Sequence, residues 1–420
     1  MPEEEGSFSA PKGTNDILPP ASRAWQAVVR LALDTFRDAG YELIETPVFE
    51  HTEVFERGVG VSSEVVTKQM YTFTDLAGRS LTLRPEGTAP VVRAVLEHGL
   101  DKGPLPVKLA YASAMFRQER PQRGRYRQFF QVGIEAIGSD RPVVDAEVIE
   151  IGRRFLSTAG VATTLHLNSI GHLSDDCRSG YLRTLQDFLE THRNAVAPED
   201  RERISVNPLR MFDSKEPATI AVMADAPLIT NHLCPACRAH FDEVRDALTD
   251  VQVDYEVTPR LVRGLDYYTR TAFEFVAAGL GAQNAVGGGG RYDGLSESLG
   301  GPPLPGIGFA LGVDRILLAR PDGADRGRTL DVYVVAVGEG GERDAFKLVT
   351  RLRGAGFAVD ADLAARSMKG QMKQADRSGA RWAAILGERE RVAGTVILKD
   401  LASAEQKEVD LASVEEALRA

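Results

Sequence analysis

Apolar side chains recur at helical spacing along residues 21–39, where Trp25, Val28, Val29, Leu31, Ala32 and Phe36 share a face and Gly40 follows as a C-cap. YELIETPVFE (41–50) reads as an extended segment broken at Pro47. RSLTLR (79–84) alternates like a strand, and residues 88–97 return to helical spacing. Strands are predicted at 106–115 and 129–137, then a helix at 143–159. From 172 to 256 the strand signals thin out, which predicts a helical insertion with a polar loop at 192–203. Strand character returns at 271–277 and 305–312. RPDGADRGRT (320–329) has Pro, two Gly and mixed charge, as a linker would. Beyond it, strands at 331–337, FAVD, RWAAIL and TVILKD alternate with helices at 342–354, 367–378 and 411–419. That alternation predicts a small α/β domain on a largely parallel sheet. Internal repeats, heptads and low-complexity tracts are absent.

Length and composition narrow the class. A chain of 420 residues with 43% hydrophobic content sustains two or three domains. Apolar runs fall short of the ~18–20 residues that span a bilayer. The acidic start, MPEEEGSFSAPKG, has no apolar core of the kind signal peptides carry. Cys177, Cys234 and Cys237 are too few for a disulfide framework and fit a reducing cytosol, so a cytoplasmic protein is expected. A net charge of -10 argues against indiscriminate nucleic-acid binding, yet permits a local basic patch that docks one RNA.

Such a patch stands at 116–131. FRQERPQRGRYRQFFQ places Arg117, Arg120, Arg123, Arg125 and Arg127 together, with Glu119 as its one acid. Guanidinium forks match phosphate oxygens. Pro121 and Gly124 make the middle a loop between the two predicted strands, a clamp for nucleotide phosphates or an RNA end.

Four further segments carry candidate chemistry. In TLRPEGTAP (82–90), Glu86 and Thr88 could receive an ammonium group, although helix capping explains the same residues. In LVRGLDYYTRTAFE (261–274), Arg263 precedes two tyrosines whose hydroxyls, if buried, need polar partners. GGGGRYDGL (287–295) permits close backbone approach to a ligand but lacks P-loop spacing, and a flexible turn accounts for it equally. In PGIGFALGVDRILLA (305–319), Gly306, Gly308, Ala310 and Gly312 clear one strand face for a flat base, ahead of a helix bearing Asp314 and Arg315. His232, Cys234, Cys237 and His240 have metal-ligand chemistry, but their spacing departs from the usual zinc frames. An inert buried cluster with no structural zinc is the expectation.

The run R-x-E-R-P-Q-x-G-R-Y-R-Q-F resembles motif 2 of class II aminoacyl-tRNA synthetases, and in this long form the histidyl-tRNA synthetase family in particular. LVRGLDYY resembles a signature of that family, and 305–319 resembles class II motif 3, with Ala310 in place of one glycine and Asp314 where many members carry Glu. KGTNDILP, the motif 1-like stretch 40–47 and SMKGQMKQADRSGARWAAILG extend the likeness nearly end to end. Class I signatures are absent.

The resemblance implies an α+β class II catalytic domain over 1–325, its antiparallel sheet flanked by helices and a helical insertion at about 172–256, then an α/β anticodon-binding domain over 331–420. It implies histidine–tRNA ligase activity with ATP and Mg²⁺, acting on L-histidine and tRNA(His), in a homodimer with no membrane association. Carried over by position, Arg117, Arg263 and Gln131 would be catalytic. Glu86, Thr88 and Gln131 would receive the α-amino group, Gly87 would join the histidine-binding set, and Glu135 and Tyr268 would contact the imidazole, with Tyr267 and Tyr292 lining the pocket. Arg117, Glu119, Phe129 and Arg315 would hold ATP, and Arg120, Gln122, Arg123 and Arg125 would meet the tRNA acceptor end. Two rivals are a synthetase-like regulatory subunit that binds histidine without charging tRNA, and a generic nucleotide-binding regulator.

Overall fold

The computed structural model describes residues 8–60, 63, 65–278, 280, 284–321 and 330–419. Most of the expected linker (322–329) and the acidic residues 1–7 lie outside them. The chain forms two compact units that divide between Arg326 and Gly327.

In the first unit eight strands form one sheet, in spatial order Glu42–Leu43, Val107–Phe116, Gln128–Ile137, Gly306–Gly312, Ala285–Arg291, Thr269–Ala277, Thr163–Ser169 and Glu256–Val257. The six long strands pair antiparallel and only the two-residue edge strands pair parallel. Alternation sorts the side chains between the two faces. Val132, Ile134, Ile307, Phe309, Leu311, Phe273 and Phe275 join one buried core. Helices Ala21–Asp38, Pro142–Thr158 and Pro235–Asp250 complete it, with Phe36 edge-on to Phe155 at 5.8 Å and to Phe309 at 5.7 Å. Gln131, Glu135, Glu274, Gly308 and Ala310 fall at the alternate positions, so the opposite face is polar or small.

The predicted helix at 88–97 forms as Thr88–Glu97, and the predicted hairpin forms as Val107–Phe116 and Gln128–Ile137. The four-glycine run is not a turn. Ala285–Arg291 is a central strand, pairing Gly290 with Gly308 and Gly289 with Phe309. Its neighbours approach so closely that a Cβ at Gly287 would lie 2.7 Å from Leu311 Cα, so glycine here is required by packing rather than by a bend. The insertion is helical, with helices Arg178–Thr191, Pro217–Met223 and Pro235–Asp250 around a core that includes Tyr181, Leu185, Leu189, Ile204 and Met211.

In the second unit the strand order is Val359–Ala361, Val332–Ala336, Trp382–Leu386, Thr395–Asp400, Gln406–Asp410. Only the first three strands are parallel; the last two return antiparallel, which corrects the expectation of a largely parallel sheet. Gln406–Asp410 is an exposed edge strand without an apolar face, so no alternation betrays it in the sequence.

Candidate functional site

The polar face of the large sheet floors a cavity of about 760 Å³. Glu86, Gly87, Thr88, Arg117, Glu119, Arg125, Phe129, Gln131, Arg263, Tyr267, Tyr268, Tyr292 and Arg315 line it, although they come from distant parts of the chain. Two groups of the sequence-predicted residues do not. Arg120, Gln122 and Arg123 are exposed on the arginine loop. Glu135 is fully buried on that same face of the sheet, behind Thr88 and Tyr292.

Glu86 serves two ends at once. Its carboxylate accepts from the backbone N–H of Thr88 at 2.7 Å and of Ala89 at 2.9 Å, capping the helix Thr88–Glu97. It also lines the cavity, where the Tyr267 hydroxyl donates to it at 3.4 Å. Burial raises its pKa, and the two helix N–H bonds oppose that. A Cβ at Gly87 would meet the Tyr111 ring at 2.7 Å, so only glycine fits there.

Below, Glu135 accepts from Thr88 Oγ1 at 2.8 Å and from the Tyr292 hydroxyl at 2.6 Å. Burial pushes its pKa up to about 8, against the lowering effect of those two hydrogen bonds. A buried carboxyl with two hydroxyl partners holds its proton more tightly than a solvated one. Tyr267 stacks tilted on Tyr268 at 4.7 Å and edge-on to Tyr292 at 5.9 Å, which makes an aromatic wall.

The cations stand at the rim and along one side. Arg117 follows directly on Val107–Phe116, donates to Pro85 O at 2.8 Å and lies over the Phe129 ring at 5.3 Å. Glu119 faces both Arg117 at 3.7 Å and Arg125 at 3.3 Å. Arg263 pairs with Glu274 at 2.7 Å. Arg315, at the start of helix Val313–Ala319, donates to Gly124 O at 3.1 Å and Ala285 O at 2.6 Å, tying the loop tip to the glycine strand. Burial lowers its pKa. The loop base is braced by the amino-terminal arm: Arg127 donates its backbone N–H to Gly13 O at 2.7 Å and its Nη1 to Lys12 O at 3.2 Å.

Gln131 Oε1 is buried with no hydrogen-bond partner among the described residues. An orphaned acceptor facing a cavity marks a place for a ligand donor. Gly288, Gly308, Ala310 and Gly312 line the same cavity, as does Phe129.

Sequence reasoning missed three features. Tyr111 and Glu274 line the cavity, but each looked like an ordinary strand residue. The insertion contributes a whole wall, including Arg203, Arg210, Ser214 and Lys215, and Arg210 donates to Gly264 O beside Arg263. Arg291 is fully buried on Asp145, which also accepts from His240 Nε2 at 2.9 Å and Thr271 Oγ1 at 2.6 Å. Burial would raise the Asp145 pKa, but His240 and Arg291 outweigh it and hold it below the ordinary carboxylate value.

An antiparallel sheet backed by helices, with an arginine hairpin and a glycine-lined strand–helix turn converging on one cavity, defines a class II aminoacyl-tRNA synthetase catalytic unit. Residues 13–316 match the family model for histidyl-tRNA synthetase, and 331–420 match that for an anticodon binding domain. The histidine–tRNA ligase of Corynebacterium jeikeium is 51% identical over 99% of this chain and 94% of that protein. That of Saccharopolyspora erythraea is 52% identical over 98% of this chain and 99% of its own. The crystal structure of apo S. aureus histidyl-tRNA synthetase superposes with a TM-score of 0.80 at 35% identity, covering 99% of this chain and all of that one. The chain belongs to the histidyl-tRNA synthetase family.

Proposed function

We propose that the chain is a histidine–tRNA ligase that activates L-histidine with ATP and esterifies the 3′ end of tRNA(His). The observation that carries this reading is the convergence of Arg117, Arg263, Arg315, Gln131 and Glu86 on one cavity. Each contributes a group that the reaction requires, and the sequence separates them widely.

In the first step the histidine carboxylate attacks the α-phosphorus, its oxygen bonds to phosphorus, and the bond to pyrophosphate breaks. The nucleophile is already anionic, so what the protein adds is position and charge neutralisation. Arg117 and Arg263 provide the cations for the α-phosphate and substrate carboxylate, and Arg315 with Phe129 holds the adenine side. Glu86 and Thr88 receive the substrate ammonium, and Gln131 Oε1 accepts one of its protons. Mg²⁺ arrives with ATP as part of the substrate and screens the phosphates. In the second step a terminal ribose hydroxyl bonds to the acyl carbon and AMP leaves.

Selection of the imidazole falls to Tyr268, Tyr267 and Tyr292, with Glu135 acting through the Tyr292 hydroxyl it binds. Apolar amino acids would leave this set unpaired, a penalty worth roughly 10⁴ in discrimination or more, so no editing domain is needed. Arg120, Gln122, Arg123 and Arg125 are assigned to the tRNA acceptor end; the first three are exposed, as an RNA-docking loop requires. Residues 1–325 make the catalytic domain and 331–420 the anticodon-binding domain.

A homodimer is proposed through the motif 1 side. Leu43, Val48, Phe49 and Phe73 expose between 44% and 63% of their surface there, with Phe49 edge-on to Phe73 at 6.1 Å. Sedimentation should give a mass of twice the chain, and Phe49→Glu should shift it toward monomer. Work in the cytoplasm is proposed from the family, and three cysteines outside any disulfide fit a reducing compartment.

Histidine-dependent ATP–pyrophosphate exchange tests the reading directly. The wild-type protein should exchange and Arg263→Ala should abolish it. A folded, Mg²⁺- and ATP-supplied protein that binds histidine without exchange would instead be a regulatory subunit. The match at 331–420 favours the enzyme, because such regulatory relatives are expected to lack that domain.

A further inference from the structure

We infer that His172, Cys177, Cys234 and Cys237 form a structural Zn²⁺ site that fastens the two ends of the helical insertion together. Their ligand atoms all lie within 4.8 Å of one another, and among the described residues they are the one such group of metal-ligand side chains. His172 Nδ1 stands 3.0 Å from Cys237 Sγ and 3.8 Å from Cys234 Sγ. A tetrahedron with Zn–S of about 2.3 Å and Zn–N of about 2.0 Å has edges of about 3.5–3.8 Å. The observed separations lie within about 1 Å of those edges.

This is not the set that linear spacing suggests. His240 is committed to Asp145 at 2.9 Å, and His232 lies against the Tyr181 ring at 5.4 Å. The expectation of an inert cluster rested on the spacing of that linear set, and the fold instead groups His172 and Cys177 with the two cysteines. Three thiols and one imidazole are a frequent structural zinc set, and soft sulfur ligands favour Zn²⁺ over the hard cations.

The backbone is arranged for close approach. In the first half-site, Ser174 and Arg178 both donate their N–H to His172 O, at 3.0 and 3.1 Å, and Cys177 N–H reaches Ser174 O at 3.2 Å. That tight turn brings His172 and Cys177 side by side. Gly171 sits at φ +66°, and a Cβ there would lie 2.7 Å from Cys177 Sγ. In the second half-site, Cys234 is the N-cap of Pro235–Asp250 and accepts from Cys237 N–H at 3.4 Å. The three cysteines are 6% exposed or less and His172 is half-buried, and four protein ligands fill a tetrahedron, which leaves no open position for a substrate. It is a closed, structural centre.

Its placement links it to the candidate active site. Arg178, next to Cys177, donates to Tyr268 O at 2.6 Å, and Arg270 N–H reaches Gly171 O at 2.7 Å. Zinc would thereby hold the root of the insertion against the tyrosine wall of the cavity.

The test is metal analysis of the full chain purified under reducing conditions. We expect about one zinc per chain by plasma mass spectrometry, retained through dialysis. Cobalt exchanged into the wild-type protein should give sulfur-to-cobalt charge transfer and the intense visible bands of a tetrahedral site. Cys234→Ser/Cys237→Ser should lower zinc to below about a tenth of an equivalent. If that variant does not fold, the cobalt spectrum of the wild-type protein decides alone. The proposal is overturned by wild-type protein that takes up no zinc even after incubation with zinc chloride. A six-coordinate cobalt spectrum, or equal zinc in wild type and variant (an adventitious ion only), overturns it as well.

Discussion

Replacing Glu135 with Gln isolates the contribution of a single buried proton. The native carboxyl is fully buried, accepts from Thr88 and Tyr292, and has its pKa pushed from 4.5 to about 8. In the unfolded chain it ionises at its ordinary value. Between those limits the native protein holds one proton more than the unfolded chain, so stability falls as pH rises. This contribution is fully present below about pH 4.5 and has been lost once pH passes about 8. Each pH unit in that window costs about 1.4 kcal/mol, so the full span amounts to roughly 5 kcal/mol. Glutamine keeps the size and a donor and acceptor but cannot titrate. Urea unfolding of wild type and Glu135→Gln at pH 5.5 and 7.5 should therefore show the wild type losing roughly 2–3 kcal/mol more than the variant. The transition to follow is that of the catalytic unit, since two units need not unfold together. Parallel pH slopes for the two proteins would refute the reasoning.

Other outcomes follow from the same geometry. Asp145→Ala leaves Arg291 buried without its carboxylate and should destabilise the catalytic unit by about 3–5 kcal/mol, read as a lowered thermal midpoint. Gly308→Ala would drive a Cβ into the Glu135 carboxyl and the Ile134 carbonyl, so soluble yield or histidine affinity should collapse, while Gly294→Ala, exposed at a negative φ with open space around it, is far milder. Arg123→Ala should leave pyrophosphate exchange intact while weakening tRNA charging, and if it meets one phosphate the log–log salt slope should fall by about 0.7–0.9. Phe36→Ala removes a ring wedged between Phe155 and Phe309 and should cost about 3–5 kcal/mol in urea titrations.

Several elements were legible because local pattern and tertiary need agree. The hairpin 107–137 carries clear alternation on both arms with loop residues between them, and the helix at 88–97 has its cap written next to it. Glu86 had two readings in the sequence, helix cap or ammonium site, and the structure makes it a cap that also lines the cavity. The glycine strand was illegible because its stability comes from neighbours that approach too closely for any Cβ, and glycine itself carries no strand preference. Nor could the sequence disclose the wall supplied by the insertion or the meeting of His172 with Cys234, since both depend on contacts between segments remote along the chain. Glu135 was found by position, but not its depth. Only coordinates separate a side chain that touches a cavity from one that stands behind a tyrosine hydroxyl.

The brace between Lys12–Gly13 and Arg127 has a practical side. Anything that tugs on the amino end, such as an affinity tag or a fused partner, pulls on the anchor of a loop far away along the polypeptide. Preparations tagged there should be compared with carboxyl-tagged ones before a weak aminoacylation rate is blamed on the catalytic residues. On the reading proposed for that loop, changes near Lys12–Gly13 should alter tRNA charging more than pyrophosphate exchange.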